Sequence, residues 1–193
     1  MIDFSPLRRK EKTIKELAAD LSRRDLVPLA NEMCDEMLVR LDGAEDPDAS
    51  FVPVDEEAND TFAATAEDVD LAWTLGHVVV HATASAEEAA AHALSLARGV
   101  TTSERSRYEV PWQEATTAVF MRNRIEESRR MQLAMLEAWP DEPHLEVLYV
   151  RREGVPGANA VERFVGGLSH SDSHLDQMSK VLEQARAARG VRA

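Results

Sequence analysis

Six histidines carry the chemistry this sequence suggests. His77, His81 and His92 fall in one apolar stretch, His144 follows Pro143, and His170 and His174 stand four apart. On an α-helix, residues four apart differ by about 40° in azimuth, so His170 and His174 project from one face, one turn apart. A pair placed like that can grip one metal ion. The same arithmetic puts His77 and His81 on one face of an earlier helix, just after Trp73. Facing helices of a bundle can bring two such pairs together. Three histidines with a coordination position left open make a catalytic divalent site rather than a structural one. No HExxH or other specific metal motif accompanies them, and histidines that satisfy polar groups in a core give the same spacing.

The elements that must position these residues are helical throughout. Of 193 residues, 44% are apolar and 30% charged, with only 8 Gly, 8 Pro and 5% aromatic residues, a helix-favouring mix for one globular domain. No stretch alternates with period two. A first block runs from Lys10 to Leu41, where Pro28 predicts a short N-terminal helix to Arg24 and a restart near Leu26. Residues 44–64 read as a long acidic loop. Thr65 and Asp68 resemble a capping box that starts a second helix near Ala66 and carries it to Arg98, before Gly99. A third helix spans Trp112 to Ala138, stopped by Pro140, and a fourth runs from Ala158 to Arg189. Four long amphipathic helices hide their apolar faces by packing as a four-helix bundle. The connections are longer than bundle loops usually are, so at least one of them is expected to cross the bundle.

With these segments in place the chain resembles a family. "WTLGHVVVH" on the second helix and "GGLSHSDSHLDQM" on the fourth are similar to the two metal-binding segments of the DinB/YfiT-like superfamily of helical bundles. The resemblance implies a four-helix bundle of DinB/YfiT type with an extra N-terminal helix, residues 1–24 forming an extension. It implies a divalent metal, Zn or Ni, held by His77 in the "LGH" place with His170 and His174 from the H-x-x-x-H. It also implies a small-molecule substrate attacked by water or by a low-molecular-weight thiol, as in the hydrolases and thiol S-transferases of that superfamily, and a homodimer. His81 is additional to this set and either replaces His77 or lies behind the ligands; the "LGH" context favours His77. A bundle that binds metal without catalysis, as a stress-associated protein, is the competing reading.

Two further residues are candidates for a catalytic role. Gln177 lies about 20° from His170 and 60° from His174 in projection and can line the same cavity, or be satisfied by neighbouring backbone. Glu127 shares a helix face with Phe120, Met131 and Ala134, an odd place for a carboxylate unless it serves as a ligand, a general base or the partner of Arg124. Arg122, Glu126, Arg129 and Arg130 read as a solvated face. Asp172 and Asp176 point away from the histidines, His92 reads as a rim or surface residue, and His144 has no partner in sequence. The acidic neighbours of Cys34 raise its thiol pKa. Gly166 and Gly167 suggest close helix approach.

Charge and hydropathy narrow the partners. A net charge of −13, from 35 acidic and 22 basic residues, opposes phosphate backbones, so no nucleic acid is expected. No apolar run is long enough to span a bilayer or to form a signal segment, and one cysteine makes no disulfide framework. The expectation is a cytoplasmic protein with no membrane partner.

Overall fold

The computed structural model describes residues 1–59, 69–101, 109–150 and 154–190. Among them the protein is all-helical: α1 (Ser5–Arg8), α2 (Ile14–Ala18), α3 (Arg23–Arg40), α4 (Asp46–Ala49), α5 (Leu75–Ala97), α6 (Ala118–Glu137) and α7 (Ala160–Ala188), with a 3-10 turn at Trp112–Glu114 before α6. The only β feature described is an isolated antiparallel bridge between Tyr149 and Ala158.

The four long helices pack in a ring. α3 touches α6 and α7, and α5 touches the same two, most extensively α7. α3 and α5, consecutive among the long helices, therefore stand diagonally across the ring, as do α6 and α7, in keeping with the long connections. α5 sits deepest. It is apolar nearly all round and buried from Leu75 to Val80, the signature of a helix enclosed by its neighbours. α3 contributes the stripe Leu26, Ala30, Met33, Met37, at the spacing that keeps side chains on one helix face. Gly167 of α7 lets α5 and α7 approach closely: a Cβ there would lie 2.5 Å from the Cβ of Ala89 on α5. Gly166 faces open space, so only one glycine of the pair serves close packing.

Helix ends follow their caps, and three differ from the sequence expectation. α5 starts at Leu75 and not near Ala66, because the operative cap is Thr74, whose hydroxyl accepts from the His77 N–H at 3.2 Å. Residues 69–74 are non-helical, and Thr65 and Asp68 lie outside the described residues. α3 runs through Pro28 without restarting. Its start is fixed by Asp25, which accepts from the backbone N–H (2.9 Å) and hydroxyl (2.6 Å) of Ser22. Pro28 and Arg24 are both exposed, so water can satisfy the carbonyl that proline cannot. Trp112 lies in the 3-10 turn, and α6 begins six residues later with Thr117 as its cap. α7 keeps close to expectation, opened by a reciprocal cap between Asn159 and Glu162.

The acidic segment and the N-terminus are tied into the body. Asp48 is fully buried and receives Arg189 in bidentate fashion at 2.8 and 2.9 Å, while Glu45 pairs with the same guanidinium. Asp46 accepts from the Ala118 N–H at the start of α6. Phe4 lies in the core, and Arg8 of α1 pairs with Asp172 of α7. The supposed solvated face of α6 is likewise employed: Arg122 donates to the Leu41 carbonyl at 2.8 Å, and Arg129 reaches Asp35 at 2.7 Å.

Candidate metal centre

Side chains on a helix lean toward its N-terminus, so His81 of α5 lies over the first turns of that helix, facing α7. There it meets His170 and His174. One ring nitrogen from each of His81, His170 and His174 falls within 4.8 Å of the others, and the Nε2 atoms of His81 and His170 are 3.0 Å apart. At that distance one imidazole donates to the other. A tetrahedral ion with bonds of about 2.0–2.1 Å separates its nitrogen ligands by about 3.3 Å, so a small opening of the pair would admit one. The donor set fits a divalent transition-metal ion, for which imidazole is a common ligand. All three histidines are half-buried.

The converging set differs from the expected ligand set at a single residue. His81, not His77, belongs to the converging group. His77 sits one turn nearer the N-terminus, buried, with its ring stacked on Trp73 (centroids 4.3 Å apart) and on Trp112 (5.1 Å, planes within 7°). Trp73 also packs against His81 at 4.5 Å and His174 at 5.9 Å. The "LGH" glycine has a local reason of its own: a Cβ on Gly76 would collide with the Ala115 carbonyl, so Gly76 lets the segment carrying Trp112 close over the start of α5.

Two of the rings, those of His174 and His81, are also approached from behind. His174 Nδ1 lies 2.8 Å from Gln177 Oε1; since an amide oxygen only accepts, the imidazole donates there and its Nε2 is left as the acceptor nitrogen. Gln177 thus touches the site through His174. His81 Nδ1 lies 3.7 Å from the carboxylate of Glu109, a residue the sequence reading missed because it stands in a loop with no helical spacing to flag it.

The remaining candidates fall elsewhere. Glu127 is half exposed, pairs with Arg130 and is not among the converging groups. It lines an open depression of about 420 Å³ with Phe120, Asn123 and Arg124. Arg124 is not its hydrogen-bonded partner: that guanidinium pairs with Glu87 and donates to the Thr83 hydroxyl at 3.2 Å. Asp172 pairs with Arg8 and is not among the converging groups. His92 is a buried residue rather than a rim one, packed on Tyr149 beside Arg163. His144 does find a partner, Glu146 at 2.8 Å. No protein-family model matches the chain, and no curated protein or solved structure matches it.

Proposed function

We propose that the protein is a metal-dependent enzyme of DinB/YfiT-like type in which His81, His170 and His174 hold a divalent ion, Zn or Ni. Its substrate is a small molecule attacked by water or by a low-molecular-weight thiol. The observation that carries this reading is the convergence of the three imidazoles from two helices. Among the described residues three donors converge and not four, the ligand count of a centre that keeps a position for substrate. When bound, the ion acts as a Lewis acid and lowers the pKa of water or of a thiol that reaches it. The chain does the rest: Gln177 fixes the tautomer of His174, and Trp73 lies against two of the ligands. Homodimerisation and a cytoplasmic setting belong to the same proposal, on the strength of the resemblance; no described helix is long and apolar enough to cross a membrane.

The test compares metal-free protein with Zn-loaded and Ni-loaded protein, using a low-molecular-weight thiol with an electrophilic acceptor, and an ester, as alternative substrates. Metal-dependent consumption of one of them, lost in His170→Ala, supports the reading. Tight metal binding with no turnover of either favours the non-catalytic metal-binding bundle.

A further inference from the structure

The loop between α5 and α6 returns two side chains to α5, three residues apart, onto histidines four apart: Trp112 stacks on His77, and Glu109 stands behind His81. We propose that Glu109 is a positioning residue of the metal centre, holding His81 with its Nδ1 proton toward the carboxylate so that Nε2 is the bare nitrogen offered to the ion. The inference rests on the proposed metal centre and adds to it the group that orients His81.

The geometry argues for this role and against direct ligation. His81 Nε2 is the atom turned to His170, at 3.0 Å, whereas Glu109 approaches the other ring nitrogen, at 3.7 Å. A carboxylate on the Nδ1 side is separated from the ion by the width of the imidazole. It can act only through the ring, by fixing the tautomer and raising the basicity of Nε2, the usual service of a carboxylate behind a metal-bound histidine. The centre then has unequal supports. Gln177 behind His174 is neutral, so Glu109 brings the negative charge that partly offsets a divalent ion on three neutral imidazoles.

The experiment measures Zn affinity of the full chain by chelator competition, and the visible spectrum of the Co-loaded protein, for wild type, Glu109→Ala, Glu109→Gln, His81→Ala and the double variant Glu109→Ala/His81→Ala. Glu109→Ala is expected to weaken Zn binding about 10- to 100-fold, with Glu109→Gln between it and wild type. Far-UV circular dichroism is expected to stay unchanged. Since Glu109 acts through His81, its removal is expected to add nothing in the His81→Ala background, and the Co spectrum of Glu109→Ala is expected to keep the wild-type band shape. Wild-type affinity in Glu109→Ala overturns the proposal while leaving the metal centre standing. A changed Co spectrum overturns it too, by making Glu109 a ligand, and so does an equal loss with and without His81. Failure of the wild-type protein to bind Zn removes both the centre and this inference.

Discussion

Within one helical turn, His77 and His81 are nearly equivalent in azimuth, and only their neighbours separate their roles. Trp73 and Trp112 occupy the ring faces of His77, while His81 reaches the α7 pair. Gln177 acts on His174 from behind, so Gln177→Ala is expected to lower Zn affinity about 10-fold without removing binding, as measured by chelator competition. Cys34 shows the opposite, inert kind of residue. It is 2% exposed, and burial, with Glu126 and Asp35 adding to it, pushes its thiol up to about 11 from 9.0. The sequence gives the direction through acidic neighbours, whereas the larger cause is burial. In the folded protein at pH 8 the thiol is therefore expected to resist a disulfide reagent such as DTNB and to react fully once the chain is unfolded in urea. Because the folded pKa is the higher one, the stability tied to the neutral thiol is fully present below about pH 9 and is lost as pH rises toward 11.

Helix packing makes its own prediction at the α5–α7 contact. Gly167→Ala puts a methyl 2.5 Å from the Ala89 methyl and is expected to cost about 1–3 kcal/mol of unfolding free energy by urea titration. Gly166→Ala, facing open space, is expected to gain about 0.5–1 kcal/mol from helix propensity. How far the helices were legible depends on which signal marked each end. α7 was readable because Asn159 and Glu162 cap it where the apolar period begins. The start of α5 was not, since the spacing of Thr65 and Asp68, which lie outside the described residues, drew the expected start upstream of the working cap at Thr74. Pro28 misled because a proline's effect depends on whether the carbonyl it orphans faces water, which sequence does not show. The site divides in the same way. The i, i+4 spacing exposed His170 and His174 as a pair, but seeing that His81 and not His77 converges on them needed the structure, in which a loop brings Trp112 onto His77 and Glu109 near His81.

Across the whole molecule, charges set apart in sequence are what bind the chain ends to the body. Asp48 lies 141 residues from Arg189 and is fully buried against it. Removing a buried carboxylate strands the donors aimed at it, the Glu45 N–H among them. Asp48→Ala is expected to cost about 2–3 kcal/mol in urea unfolding, with metal affinity unchanged because the latch grips α7 far along the helix from His174. The overall charge of −13 sets the expectation for partners. Labelled duplex DNA at moderate salt is expected to bind no better than to an acidic control protein, since counterion release needs clustered cations, and the basic side chains of α6 described above are already paired with acidic groups or carbonyls.

Everything said of the site depends on His81, His170 and His174 forming one metal centre. Its most direct test is the metal content, by elemental analysis, of Zn-reconstituted and dialysed protein carrying His81→Ala or His77→Ala, beside wild type. About one Zn per chain is expected for wild type and for His77→Ala, and less than half of that for His81→Ala. Loss of metal in His77→Ala with retention in His81→Ala would contradict it.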